Sequence, residues 1–509
     1  MEKKGFFITT AIDYVNAPPH IGHALEKIIA DVIARTQRQK GKEVFFLTGT
    51  DEHGTKLLRA AEDVNLLPQE FCDRMASNFK KLAVSLNLSN DYFVRTTDEN
   101  HAKSAQALWM ACKKDIYKDK YSGFYCVGCE AYLSEKDLID GLCPNHKVAP
   151  DLIEEENYFF NLSRYQKPLL KHFEENTEFV SPPTRYNEIY SLIKSGLDNV
   201  SISRSKKKLK WGIKVPDDPD HVMYVWFDAL TNYISALGFP EKGGNFEKFW
   251  PADIHIIGKD ITRFHAALWP AMLMSAGIEV PKQVFVHGFI TVGSQKMSKS
   301  LGNVIDPLHL SAKYGTDALR YYLIREIPST EDGDFTIEKF EHRYNSDLAN
   351  DLGNLVHRTS QMFEKYVEGI IPEPKKGLEK VDKELYGLGD EVVKNIALFI
   401  EEKNLREILG EIWRLVRRTN KYIEETTPWV LFKEDTQRLN RVLYVLADTI
   451  RIITVLIFPY MPDTSENIWK ILGQRKKVKE QRFPEDAGAE KLVTGAKFSL
   501  SNPLFPRIM

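Results

Sequence analysis

Apolar residues near the start of the chain cluster first in a run and then at helical spacing. Phe6 to Thr10 is a short, largely apolar run; Ile21, Leu25, Ile28, Ile29, Val32 and Ile33 then return every three or four positions. The run reads as a buried strand, and the spacing predicts a helix over 21–39, closed by Gly41. The same alternation continues, with strands expected at 43–47 and 92–96 and helices at 68–86 and 99–113. Strands that alternate with helices predict an α/β domain built on a parallel, doubly wound sheet. From about residue 118 to 220 the pattern changes to turns, prolines and short apolar stretches, which read as an insertion. The α/β pattern returns with short strands at 254–257 and 284–286 and a helix over 262–276. After about residue 340 the periodicity is helical throughout, with long stretches at 405–425 and 439–457, and predicts an all-α helical bundle. The tail from Gln474 is basic, then Pro-containing, with little periodic pattern.

Composition narrows the class. With 509 residues, 43% apolar and 28% charged, the chain is long enough for about three domains with ordinary cores. Five cysteines, an odd number, speak against a disulfide framework and for a reducing compartment. No secretory leader is apparent in the first ten residues, and the apolar stretch 442–461 carries Asp448 and Arg451, which suits a buried helix better than a membrane span. A soluble, cytoplasmic protein that does not enter a membrane is expected. A net charge of −2 does not advertise a nucleic-acid partner, so any such contact falls to local patches. The candidates are Lys206, Lys207, Lys208 and Lys210; Arg414, Arg417, Arg418 and Lys421; and Arg475, Lys476, Lys477 and Lys479. Most charge runs are only solvated faces.

Candidate chemistry lies in five places. Asn16-Ala17-Pro18-Pro19-His20-Ile21-Gly22-His23 sits where the first helix opens, and unpaired backbone N–H groups there attract phosphate. Lys296-Met297-Ser298-Lys299-Ser300 lies in a loop marked by Gly293 and Gly302. Two histidines and two lysines converging on one site would stabilise a triphosphate as pyrophosphate leaves. Cys126-Val127-Gly128-Cys129 followed by Cys143-Pro144-Asn145-His146 gives C-x2-C and C-x2-H, the donor set of a closed, tetrahedral structural zinc site. Thr48 to Gly54 follows the second strand at its carboxyl end, where Asp51 is placed to hold an ammonium group. Downstream, the aromatic-rich stretch Tyr224 to Tyr233 reads on its own as a helix start in a core. A Gly258-Lys259-Asp260 turn at a strand end suits ribose hydroxyls.

The histidine and lysine segments, in that order, resemble the HIGH and KMSKS motifs of class I aminoacyl-tRNA synthetases. With 9–23, the Asp51 block, 224–233, 257–269, 287–303, 314–322 and 427–429, the chain is similar over essentially its full length to bacterial methionyl-tRNA synthetases of the type with a single zinc knuckle. The resemblance implies a split Rossmann-type catalytic domain, its first half at 1–117 and its second half with the KMSKS and stem-contact region at 221–345. The insertion with the zinc knuckle would occupy 118–220, an anticodon-binding bundle 346–473 and a tail 474–509. It implies that His20, His23, Lys296 and Lys299 are catalytic, and that these four with Glu26, Gly258 and Asp260 bind ATP. Ile12, Tyr14, Asp51, Trp226, Ala229, Leu230, Tyr233, Ile261, Phe264 and His265 would form or border the methionine pocket, with Asp51 on the α-amino group. Asn354, Arg358 and Trp429 would read the anticodon. Read without the family, Trp429 after Pro428 looks like bundle core. Cys126, Cys129, Cys143 and His146 would hold one structural Zn2+, and Mg2+ would accompany ATP.

The activity implied is formation of methionyl-adenylate and transfer to the 3′-terminal adenosine of initiator and elongator methionine tRNA, first to its 2′-hydroxyl. The interval between the motifs is too short for the large editing domain of the isoleucine, valine and leucine enzymes. Since one methylene distinguishes substrates by only about 1–3 kcal/mol, homocysteine would have to be disposed of in the synthetic site itself. Asp13 departs from the family, standing where an aromatic residue or proline is expected, and reads as a cap facing the turn. Two alternatives remain open: another class I synthetase, notably for cysteine, and a non-catalytic tRNA-binding relative. The closing Asn502-Pro503-Leu504-Phe505-Pro506 resembles the end of the family's core, and a monomer is expected.

Overall fold

The computed structural model describes residues 5–127, 131–133, 135–144, 147–241, 243–297 and 302–508. The chain divides into two compact units, residues 1–19, 43–84 and 90–287 in the first and 20–42, 85–89 and 288–509 in the second.

The first unit is built on a seven-stranded parallel sheet. Its strands run in the order Asp13–Tyr14, Val44–Asp51, Phe6–Thr10, Ile254–Gly258, Val284–His287 and Val180–Ser181, with Tyr92–Arg95 also paired to Val44–Asp51. Phe7, Leu47, Val94, Ile257 and Val286 carry the sheet into one large core with Trp109, Phe227 and Trp269. The expected strands and the helix Pro68–Ser85 appear within a few residues of their sequence positions.

Four features differ from the sequence pattern. Within 118–220 a long antiparallel ribbon joins Ile116–Cys126 to Asp151–Phe160, flanked by Ala131–Leu133 and Val200–Ser201. The same interval supplies Val180–Ser181 to the edge of the parallel sheet. The helix expected over 262–276 opens with a π-helical turn, Phe264–Leu268, before Trp269–Ala276. Pro270 accounts for the wider turn: it has no N–H to donate, and its ring crowds the carbonyl of Ala266. Asp13 is a strand residue, paired with Thr50 and buried, and not a helix cap.

The second unit contains the helix Ile21–Gln39, a small sheet of Ile290–Val292, Gln295–Lys296 and Gly333–Phe335, and the helical bundle. Arg320, on helix Thr316–Glu326, is fully buried and binds the Asp31 carboxylate at 2.7 Å, with further bonds to the carbonyls of Leu86, Pro459 and Tyr460. These bonds tie the first helix to the bundle. Helix Thr436–Ile457 is buried along most of its length, and its Asp448 and Arg451 pair at 2.7 Å. Among the described residues no helix is long and apolar enough to cross a membrane. The tail has little regular structure, yet Val478, Phe483, Leu492, Phe498 and Phe505 are buried. Phe498 stacks on Phe363 with ring centres 4.4 Å apart.

Candidate functional site

His20 is the N-cap of helix Ile21–Gln39, an unusual residue there, and the cap is reciprocal. The Gly22 N–H donates to His20 Nδ1 at 3.1 Å, and the His20 N–H donates to His23 Nδ1 at 3.0 Å. The rings stack with centres 3.8 Å apart. With Nδ1 accepting in both, each neutral ring carries its proton on Nε2, the donor a phosphate oxygen needs. Gly22 is required by space: a Cβ there would lie 2.9 Å from His20 Cε1. That Cβ position is also 3.8 Å from Met297 Cε, and the Ile21 N–H donates to Ile305 O at 3.0 Å. Within the second unit the histidine turn therefore lies against Met297 and Ile305. Glu26 is buried one turn further along the helix. Lys296 ends the strand Gln295–Lys296, its backbone paired with Thr291, and Lys299 lies outside the described residues.

In the first unit the other candidates gather at the carboxyl ends of parallel strands, where ligands of open α/β sheets sit. Tyr14 and Asp51 are register partners on adjacent strands, and Asp51 is buried. Gly258 ends its strand opposite His287, and Asp260 and Ile261 form the turn that follows. Beyond it stands an aromatic wall. Trp226 and Phe264 stack face to face with centres 3.9 Å apart, and Trp226 meets His265 edge-on at 6.2 Å. The His265 Nδ1–H donates to Ile261 O at 3.0 Å, which leaves Nε2 to accept from the Tyr233 hydroxyl at 2.7 Å. Tyr233 in turn lies 4.1 Å from the ring of His255, whose Nδ1 meets the Thr9 hydroxyl at 2.8 Å. Ala229 and Leu230 are buried on the short helix Val225–Leu230, and Ile12 is half-buried against the same core. His265 and Phe264, which meet Tyr233 and Trp226, both lie in the π turn.

The sequence pattern missed a buried network behind this wall. Asp228 is fully buried and accepts from His53 Nδ1 at 2.6 Å and His101 Nε2 at 2.7 Å. Burial works to raise its carboxyl, but the two histidines outweigh this and hold it below the ordinary value. Next to it, Glu52 is held by Arg95 at 2.8 and 2.9 Å, Thr50 at 2.6 Å and Thr97 at 2.5 Å. Both residues following Asp51 are thus immobilised, one of them by the helix that carries Trp226, Ala229 and Leu230. The only sequence signal was the run of charged and polar residues 51–53 just after the apolar stretch 44–47.

Of the four residues expected to hold zinc, Cys126 and Cys143 are buried together in a small core with Leu133. Cys143 opens a turn in which Lys147 N–H donates to Cys143 O at 2.7 Å and Cys143 N–H to Val148 O at 2.9 Å. Cys129 and His146 lie outside the described residues, and among the described residues no three metal-binding side chains cluster. In the bundle, Asn354 is exposed at the start of helix Asn354–Val367, and Arg358 binds Glu424 at 2.7 Å. Trp429 is 42% exposed, as is Phe432 one turn on, so Trp429 is not bundle core.

Comparison with known proteins decides the family. The model of class I tRNA synthetases (M) matches residues 6–150 and 146–360, and that of the anticodon binding domain of methionyl tRNA ligase matches residues 373–509. The methionine–tRNA ligase of Thermotoga maritima is 46% identical over 512 residues, covering 99% of this chain and 80% of that protein. The chain belongs to the methionine–tRNA ligase family. The Brucella suis methionine–tRNA ligase is 45% identical, covering 100% of this chain and 98% of its own length. The solved Mycobacterium tuberculosis methionyl-tRNA synthetase in complex with methionyl-adenylate superposes with a TM-score of 0.95 at 41% identity, over 99% of this chain and 100% of that one. Membership in a methionine–tRNA ligase family disfavours the cysteine enzyme.

Proposed function

We propose that the chain activates L-methionine with magnesium-bound ATP and transfers the methionyl group to the 3′-terminal adenosine of methionine tRNA. A methionine carboxylate oxygen attacks the α-phosphorus, and the bond to pyrophosphate breaks. The adenosine hydroxyl then attacks the methionyl carbonyl, and AMP leaves. No side chain need become a nucleophile, so catalysis is positioning and charge stabilisation. Full-length similarity to methionine–tRNA ligases, with both histidines locked in the Nε2–H form, carries this reading.

In it, His20, His23, Lys296 and Lys299 stabilise the phosphates, while Glu26, Gly258 and Asp260 complete the ATP site. Asp51 pairs with the α-ammonium. Ile12, Tyr14, Trp226, Ala229, Leu230, Tyr233, Ile261, Phe264 and His265 enclose the side chain. The His265–Tyr233 pair presents a polar edge to the thioether. Asn354, Arg358 and Trp429 read the anticodon, and the exposure of Trp429 suits a stacking base. We place the protein in the cytoplasm as a monomer.

Cys126 and Cys143, buried together, fit a zinc-ligand pair, to be completed by Cys129 and His146. A metal held there would act as a structural tie for a segment with only a small core of its own. Elemental analysis should find one zinc per chain, and Cys126→Ala should reduce metal content and expose the 116–160 ribbon to protease; a fully active protein purified metal-free without chelators contradicts the assignment.

Lys299→Ala tests the site as a whole. It should lower kcat for ATP–pyrophosphate exchange by roughly 10²–10³ with little change in the KM for methionine. Undiminished exchange contradicts the role given to the lysine segment.

A further inference from the structure

Of the three basic patches in the sequence, the bundle patch is largely neutralised. Arg414 binds Glu391 and Glu411, Arg417 binds Asp351, and Arg418 and Lys421 meet Glu425. The turn Lys206–Lys210 is different. It joins strand Ser203–Ser205 to strand Lys214–Val215 and carries Lys206, Lys207, Lys208 and Lys210. Lys207, Lys208 and Lys210 are exposed, and none of the four makes an ion pair among the described residues. The nearby acids Asp217 and Asp218 pair with Lys113 and Lys118 instead.

The turn is fixed in place. Lys208 N–H and Leu209 N–H both donate to Ser205 O, at 2.9 and 3.0 Å, and Lys206 N–H donates to Asp220 O at 2.7 Å. Leu209 is buried beneath it. The next aromatic residue ties it to the candidate amino-acid site: Trp211 Nε1–H donates to Glu52 O at 2.6 Å, and its ring lies 5.4 Å from that of His53. Glu52 and His53 directly follow Asp51. A rigid, uncompensated positive turn therefore stands beside the loop expected to hold the methionine ammonium. The tail patch Arg475 to Lys479 is also exposed and belongs to the second unit.

We propose that Lys206, Lys207, Lys208 and Lys210 form a docking surface for the phosphates of the unpaired acceptor end of tRNA. The inference rests on the function proposed above. The terminal adenosine must bring a hydroxyl to the methionyl carbonyl, so the strand leading to it carries consecutive phosphates past the walls of this site. Fixed cations there would hold the strand without reading its sequence. They would also make charging steeply salt-dependent, through counterion release.

The test is the full-length triple variant Lys207→Gln, Lys208→Gln, Lys210→Gln beside the matching triple Lys→Arg variant. Pyrophosphate exchange without tRNA should be unchanged in both. For the Gln variant, kcat/KM for tRNA charging should fall roughly tenfold, and its log–log dependence on salt should become shallower by about two, because each neutralised phosphate of a single strand adds ~0.7 to the slope. An acceptor-stem hairpin should inhibit charging by the Gln variant less well than by wild type, while an anticodon-stem hairpin inhibits both equally. The Arg variant should behave as wild type. An unchanged salt slope, a parallel loss of exchange, or weakening confined to the anticodon hairpin overturns the proposal. A wild-type protein that charges no methionine tRNA at all overturns the underlying function instead.

Discussion

The smallest residue in the histidine turn sets the position of its neighbours. Any Cβ at position 22 must displace the His20 ring, which is held by the Gly22 amide itself. Gly22→Ala should therefore lower kcat for exchange by about 10²-fold, the scale of an ångström-sized misplacement. A variant with wild-type kcat would mean that the ring position is not needed. Asp228 makes a second prediction at this scale. An asparagine there has one oxygen to offer two histidine N–H groups and no charge to hold them. Asp228→Asn should loosen the loop after Asp51 and raise the KM for methionine by roughly tenfold or more, with a smaller effect on kcat. Loss of thermal stability with an unchanged KM would assign Asp228 a structural role only.

Among the elements, the helix Ile21–Gln39 has the clearest dependence on charge. Its Asp31 is fully buried; burial works to raise the carboxyl, but Arg35 and Arg320 more than offset this and hold it at about 2. Unfolded, the same carboxyl titrates near 3.9. Its folded pKa is the lower one, so the pairing stabilises fully above about pH 4 and is lost as pH falls towards 2. Asp31→Asn should cost about 3–5 kcal/mol near neutral pH, because Arg320 is left buried without its partner. It should also flatten the loss of stability between about pH 4 and pH 2, as read by denaturant unfolding at several pH values. An unaltered acid profile would contradict this role. The helix itself was legible in the sequence, because a buried face at 3.6-residue spacing needs no outside information. The π turn Phe264–Leu268 was not: its apolar residues fit a regular helix, and only Pro270 disturbs the backbone. Val180–Ser181 was hidden by its length, since two residues carry no period and the strand exists only through its neighbour Val284–His287.

Across the whole molecule, the site was legible where a few consecutive residues carry the chemistry, as in the histidine turn. The network around Asp228 was not, because its members are drawn from three distant segments and each reads locally as an ordinary polar residue. Recognition at a distance makes the prediction for the bundle. Trp429→Ala should lower kcat/KM for tRNA charging by roughly ten- to a hundredfold, the equivalent of ~1–3 kcal/mol of base stacking, and leave exchange unaltered. Because Trp429 is partly exposed, thermal stability should hardly change; a fall in stability matching the fall in charging would make it a packing residue. The most direct measurement is ATP–pyrophosphate exchange by the purified chain with each of the twenty amino acids, followed by charging of methionine tRNA. Strong exchange with methionine, feeble exchange with any other, and methionine recovered on the tRNA are the expected results. Exchange that prefers cysteine or another amino acid, or no exchange with any of them, would contradict the assignment of this chain to methionine activation.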